Sequence, residues 1–376
     1  MKKITNPFIT SGYLSPHYFC DRKEETKELI GNIANGNNVA LISSRRMGKT
    51  GLITHCFTKR EIADKYYTFF IDIYPTGSIR DFVFTLSREI VERLKPFGQK
   101  ALEIFLTIVK SLQAGVSFNV TGVPSFNVKL GDIRSVETTL DEIFQYLNQA
   151  GKPCLVAIDE FQQINHYREK NVEALLRTHI QQCHNARFIF AGSQRHIMDK
   201  IFTSASHPFY QSVSIQHLEA ISMQEYTQFA LGHFEENGKY ISPEMVESVY
   251  RQFEGITWYM QKILNTLFSM TPGEGKVTKS MVEEAVEKNV NSYDYSYSET
   301  LFRLPARQKE LLIAIAKEGN AREITSAEFV KEHSLTSSSS VQSAIRGLLD
   351  KDFVTLERGA YHVYDKFLSL WINRNY

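Results

Sequence analysis

The chain has 376 residues, long enough for two or three domains and a large core. Its hydrophobic content of 43% and charged content of 23% are those of an ordinary globular protein, and a net charge of +1 gives no general attraction for nucleic acid or an anionic membrane. No apolar run reaches the length of a membrane span, and Met1–Pro7 lacks a signal-peptide core. The cysteines Cys20, Cys56, Cys154 and Cys183 share no CxxC spacing, so reduced buried thiols in a cytoplasmic protein are expected.

In chain order, the first informative stretch is an apolar run, Asn38–Ile42, followed by Ser43-Ser44-Arg45-Arg46-Met47-Gly48-Lys49-Thr50 and a helical segment over Gly51–Phe57. A strand feeding a loop that ends in Gly-Lys-Thr and opens a helix is the layout of a phosphate-binding loop. Loop amides and the helix N-terminus point at phosphate oxygens, and the helix dipole favours their charge. With ATP or ADP as the expected nucleotide, Lys49 is expected on the β-phosphate and, in ATP, the γ-phosphate, and the Thr50 hydroxyl on Mg²⁺. Ser43 stands where the motif has its first glycine. Serine fits poorly if φ must be positive there, although its hydroxyl could add a phosphate contact.

A second strand is expected over Tyr67–Ile73 and helices over Asp81–Leu94 and Gln99–Gln113, the latter amphipathic. Residues 114–131 alternate as Val116, Phe118, Val120, then Gly122-Val123-Pro124, then Phe126, Val128 and Leu130, which predicts an inserted hairpin. It serves either to cover an edge or helix or to dock a protein partner.

A helix over Glu137–Gln149 leads into Cys154-Leu155-Val156-Ala157-Ile158-Asp159-Glu160. Five apolar residues and two acids predict a buried parallel strand with carboxylates at its C-terminal end, the edge where open α/β sheets place ligands. Asp159 is expected to hold Mg²⁺, largely through water, and Glu160 to orient or deprotonate an attacking water. After a helix over Asn171–Gln182, the strand Ala186–Ser193 ends in Ser193, placed to sense the γ-phosphate by hydrogen bond, and a weaker strand lies near Ser212–His217. This β-α alternation predicts a parallel sheet with helices on both faces.

These residues carry a family resemblance. The chain resembles the archaeal-type ATPases of the signal-transducing (STAND) branch of AAA+ P-loop NTPases. Asn6-Pro7-Phe8 with Phe19-Cys20-Asp21-Arg22-Lys23-Glu24-Glu25 is similar to the family's F-x-G-R-x-x-E lead-in, with Asp21 in place of glycine; in the family this segment packs against the adenine. Ser43–Thr50 resembles G-x-R-R-x-G-K-T, Arg45 and Arg46 matching the arginine pair, with Gly51 following. Val156–Glu160 matches the Walker B strand and Ala191-Gly192-Ser193 the sensor strand. His207–Ser212 resembles the family's P-L/F-Y-G-R, with Gln211-Ser212 in place of Gly-Arg; the missing arginine implies slow hydrolysis. Ile221–Gly232 and Pro243–Leu267 resemble the helical lid, where Gly255-Ile256-Thr257 replaces a Gly-x-Pro that lies near the nucleotide. Tyr361–Asp365 with Phe367–Trp371 resembles the closing motif.

The polar, tyrosine-bearing stretch Asn289–Ser298 is expected to be a linker, its tyrosines packing at a domain joint. Beyond it, helices over Ala306–Lys317, Ser326–Glu332 and Ser337–Leu349 and a hairpin turning at Glu357-Arg358-Gly359 predict a winged helix-turn-helix. Residues 301–376 carry 11 basic against 9 acidic side chains, and the recognition helix carries Arg346 with Lys351 beyond its end. That is not the basic stripe of a DNA reader, so a protein-facing role is favoured over a DNA-facing one.

The expected organisation is an ATPase core over 1–218 with a hairpin insertion over about 114–131, a lid over 219–290 and a winged-helix domain over 299–376. The expected activity is Mg-dependent, slow ATP hydrolysis serving as a conformational switch. The alternatives are a DNA-binding ATPase resembling replication initiators and a catalytically weak nucleotide-binding adaptor. His166, His179, His184 and His196 show no metal-site spacing, and Arg168, Arg177 and Arg195 are open candidates for a finger arginine.

Overall fold

The computed structural model describes residues 5–94, 99–118, 124–126, 133 and 135–376. Two compact units emerge. The core unit comprises Ile9–Tyr226 together with Ile256–Trp258; the second comprises the segment up to Phe8, Thr227–Gly255 and Tyr259–Tyr376.

The strands are β1 (Val39–Ile42), β2 (Tyr67–Asp72), β3 (Val116–Phe118), β4 (Pro124–Phe126), β5 (Cys154–Asp159), β6 (Ala186–Gly192), β7 (Ser214–His217), β8 (Val354–Glu357) and β9 (Ala360–Val363). In the core unit five of them form one sheet in the order β2-β5-β6-β1-β7, every pair parallel. Side chains alternate across its two faces. Val39, Leu41, Leu155, Ala157, Ile189 and Ala191 pack with Leu29, Leu52 and Ile53, while Ala40, Ile42, Val156, Ile158, Phe188 and Phe190 pack with Phe82, Leu86 and Ile143. The near-continuous apolar runs of β1, β5 and β6 are what strands covered on both faces require.

The register places the site. Ile42 pairs with Gly192, and Asp72 with Asp159, so the C-terminal ends of these strands share one edge of the sheet. The helix Lys49–Thr58 leaves from that edge after β1. Parallel strands reached by crossover helices create such a ligand-facing edge.

The expected helices are present as Ile79–Leu94, Gln99–Ile108, Val136–Gln149 and Val172–Gln182. The first and third bury the apolar faces that their periodicity exposes in sequence. The helix expected over Gln99–Gln113 ends at Ile108 and continues as a separate 3-10 turn, Lys110–Gly115. β3 and β4 pair antiparallel, Val116 opposite Phe126. The rest of the expected hairpin, residues 119–123 and 127–131, lies outside the described residues.

In the second unit, the helices Pro243–Phe253, Thr257–Met270 (from Tyr259 onward) and Lys279–Asn291 are followed by Asp294–Arg303. The linker expected over Asn289–Ser298 is therefore corrected: it is helical apart from a break around Ser292-Tyr293. Tyr293 and Tyr297 pack ring to ring, tilted, one turn apart, and Asp294 accepts a hydrogen bond from Trp371 Nε1 at 2.7 Å. Tertiary packing outweighs the weak local preference of Tyr, Ser and Asp for helix.

The last domain is a winged helix: Ala306–Glu318, Ala327–Glu332 and Ser338–Asp350, then β8 and β9. Arg358 (φ 50°) and Gly359 (φ 77°) form the two-residue turn between the wing strands, the paired positive φ values that match strand twist. The closing motif is a helix, Lys366–Asn375, capped by Asp365. Phe8 is fully buried among Phe229, Phe234 and Phe268, so within the lead-in it serves this unit's core and does not remain free to stack on a base.

Candidate active site

The loop after β1 is a nest of main-chain and hydroxyl oxygens around Lys49. Lys49 Nζ donates to Ser43 Oγ at 3.1 Å and to the carbonyls of Ser43 and Ser44 at 3.4 Å each, and the residue is only 6% exposed. Left-handed backbone falls on Arg46 (φ 68°) and Gly48 (φ 91°). Ser43 is not among the positive-φ residues, so the glycine of the motif is dispensable here on conformational grounds. Its amide bonds Gly192 O of β6 at 3.3 Å, and its hydroxyl donates to Ser44 O at 2.9 Å.

Immediately after Lys49, Thr50 Oγ1 donates to Asp159 Oδ2 at 2.7 Å, and Asp159 Oδ1 accepts from the Glu160 amide at 3.0 Å. A hydroxyl and a carboxylate side by side are the hard oxygen donors that could hold Mg²⁺ alongside water and phosphate oxygens. Burial pushes the Lys49 pKa down, with Glu160 and Asp159 acting in the opposite sense and Arg45 and Arg195 reinforcing the fall. Burial likewise raises the Asp159 pKa, opposed by the Thr50 hydrogen bond and the Lys49 charge. Both charged forms therefore sit in a setting where ligand charge of opposite sign is favourable.

Glu160 takes a left-handed conformation (φ 57°) at the end of β5. Its Oε2 accepts from Ser193 Oγ at 2.6 Å and from Gln162 Nε2 at 2.5 Å. Ser193 Oγ in turn accepts from Arg45 Nε at 3.2 Å, which ties the loop to the sensor strand. Gln162 has no place in the motif reading. Its signal was its position two residues beyond Glu160, in the 3-10 turn Phe161–His166 that directs it back.

The remaining expected site residues grip the loop from outside. Arg22 NH2 and Thr257 Oγ1 both donate to Met47 O, at 3.1 and 3.2 Å. The Trp258 amide donates to Arg46 O at 3.1 Å, and the Arg46 guanidinium lies 4.5 Å from the Trp258 ring centroid. The Met47 side chain is buried in the core, so only its backbone faces the loop. Asp21 (φ 48°), where the family has glycine, takes the left-handed conformation that glycine would supply. Beside Gly51, Phe19 lies so close that an added Cβ would sit 3.3 Å from its ring, and Phe19 stacks on His55 at 4.4 Å. Trp258, Phe19 and His55 thus complete the surroundings of the loop.

Gln211 (φ 52°) occupies the family's other glycine position, and Ser212 Oγ donates to Phe209 O at 2.6 Å. Among the three open arginines, Arg195 is the one whose charge is felt at Lys49, and it is paired with Glu219 at 2.5 Å.

Comparisons with known proteins place the chain in a family. Residues 19–263 match the family described as "ATPase domain predominantly from Archaea", and residues 295–374 match the family described as "Probable winged helix domain". No curated protein matches the chain. Among solved structures, a Walker-type ATPase of Pyrococcus abyssi is similar with a TM-score of 0.67 at 16% identity, covering 98% of this chain and 99% of that one. The ORC2 protein of Aeropyrum pernix gives 0.59 at 13%, covering 98% and 96%. The Aeropyrum pernix ORC1 protein, solved in complex with DNA, gives 0.53 at 12%, covering 99% and 97%. These likenesses carry the fold. With its family match spanning the phosphate-loop and Asp-Glu motifs, and a winged helix following, the chain belongs to the archaeal-type P-loop ATPase family.

Proposed function

We propose that the protein is an ATP-binding regulatory ATPase that hydrolyses slowly and works as a nucleotide-dependent conformational switch. The observation that carries this reading is the convergence of Lys49, Thr50, Asp159, Glu160 and Ser193 on one sheet edge, anchored by the 2.7 Å Thr50–Asp159 bond. In this reading the loop amides of Ser43–Thr50 and the Lys49 ammonium bind the phosphates. Thr50 and Asp159 hold Mg²⁺, which would neutralise developing charge when bound. Glu160 orients the attacking water, and Ser193 with Arg45 senses the γ-phosphate. Asp21, Arg22, Gly51 and Thr257 shape the base and loop surroundings.

Slow turnover follows from Ser212, which supplies a hydroxyl where the resemblance has a guanidinium. We assign the ATPase core to residues 1–218, a lid to 219–290 and the winged helix to 299–376, except that the segment up to Phe8 packs with the second unit and Ile256–Trp258 with the core unit. A protein partner suits the winged helix better than DNA, given the near-neutral balance of residues 301–376. The DNA reading has in its favour the fold-level likeness to the ORC1 protein solved with DNA. On the protein-partner reading the full chain shows no salt-dependent retention of duplex DNA at low salt, whereas such retention would support the DNA reading.

The test is thermal unfolding with Mg-ATP. Lys49→Ala loses the nucleotide-induced shift, and Glu160→Gln keeps it while steady-state phosphate release falls by about 100-fold or more. An undiminished shift in Lys49→Ala would remove the basis of the proposal.

A further inference from the structure

We propose that Gln162 is the positioning residue for Glu160, an inference that rests on the hydrolytic reading above. Gln162 is 3% exposed, and its Nε2 lies 2.5 Å from Glu160 Oε2 and 3.4 Å from Ser193 Oγ. The amide orientation is fixed by chemistry: an oxygen turned toward the carboxylate would be repelled. The consequence is that Gln162 Oε1 is buried with no hydrogen-bond partner among the described residues.

A second observation, independent of the first, points the same way. Gly192 at the end of β6 has no room for a side chain: a Cβ there would sit 2.6 Å from Gln162 Oε1 and 2.3 Å from Met198 Sδ. The same glycine accepts the Ser43 amide through its carbonyl. Gly192 thus leaves space for Gln162 on one side and holds the phosphate loop on the other.

With Oε2 held by Ser193 and Gln162 together, rotation of the Glu160 carboxylate is restricted and its second oxygen, Oε1, is left for water. Glu160 sits on a left-handed residue at a strand end, where backbone alone gives little control of the side chain. Two converging donors supply that control, as effective orientation of a reacting group requires.

The experiment measures phosphate release from Mg-ATP by the full chain, with Mg-ATP affinity taken from thermal-shift titration. Gln162→Met matches the length without a donor, and Gln162→Asn keeps the amide but falls one methylene short. Either lowers kcat by about 10- to 100-fold with affinity within about twofold of wild type. Added to Glu160→Gln, Gln162→Met costs nothing further, because its effect runs through Glu160. Wild-type turnover in both Gln162 variants, or a loss that multiplies with that of Glu160→Gln, overturns the positioning role and leaves the hydrolytic reading standing. Wild-type turnover indifferent to Glu160→Gln overturns both.

Discussion

The Lys49 ammonium rests 3.1 Å from Ser43 Oγ, so the residue that departs from the family's glycine is itself a partner of the loop lysine. A phosphate must draw Lys49 away from that hydroxyl. Ser43→Gly removes the competitor and is expected to tighten Mg-ATP binding by about 3- to 10-fold in calorimetric titration. The unbound protein should lose about 1–2 kcal/mol through the missing bonds and the added backbone freedom of glycine. Weaker binding in Ser43→Gly would mean that the hydroxyl touches phosphate directly.

Trp258 braces the loop at Arg46, the non-glycine residue with positive φ within it. Trp258→Ala keeps the backbone bond to Arg46 O but loses the guanidinium–ring contact, worth about 0.5–1 kcal/mol. Mg-ATP affinity should fall by about 2- to 5-fold, and Trp258→Phe should recover much of it. The chain has 2 tryptophans, so in a Trp371→Phe background the emission of Trp258 alone should change on Mg-ATP addition. Unchanged emission would remove Trp258 from the loop's response.

Much of this site was legible because its chemistry is local in sequence. Ser43–Thr50 and Cys154–Glu160 each join a strand to the residues at its end, and a parallel sheet brings the two ends to one edge. Gln162 and Trp258 were not legible in this way, since no spacing rule says which side chain turns back toward Glu160 or under Arg46. The helix Asp294–Arg303 was hidden for a related reason: Tyr297 and Asp294 are held by Trp371, which lies 77 residues beyond Asp294. At Ser43 the condition that would require glycine does not arise, because the positive φ of the loop falls on Gly48 and, at some strain, on Arg46.

His55 provides a pH signature. It is 6% exposed, stacks on Phe19 and shares a 2.8 Å hydrogen bond with Tyr13 Oη. Burial, reinforced by the Lys59 charge, pushes its pKa down to about 4. The folded ring stays neutral while the unfolded chain takes up a proton below about pH 6.5. The group's contribution is therefore complete above that value and is lost as pH falls toward 4. Denaturation at pH 7 and pH 5 should show a larger loss for wild type than for His55→Gln. Equal losses would place the proton elsewhere.

Asp365 joins two helices through one carboxylate oxygen. Oδ1 accepts from the amides of Phe367 and Leu368, capping Lys366–Asn375, and from Tyr259 Oη at 3.1 Å. Tyr259 is 1% exposed, and its hydroxyl also accepts from the Lys366 amide. Asp365→Ala removes a cap worth about 0.5–2 kcal/mol and the hydrogen bond from the buried Tyr259 hydroxyl, a further 0.5–1.5 kcal/mol or so. Chemical denaturation should register a combined loss of about 1–3 kcal/mol, since the two effects share one oxygen and do not add fully. Asp365→Asn keeps an acceptor at that position and should recover most of the loss. An equal loss in Asp365→Asn would assign the effect to charge at the helix N-terminus, because the amide preserves the hydrogen bonds and removes only the anion that the helix dipole favours.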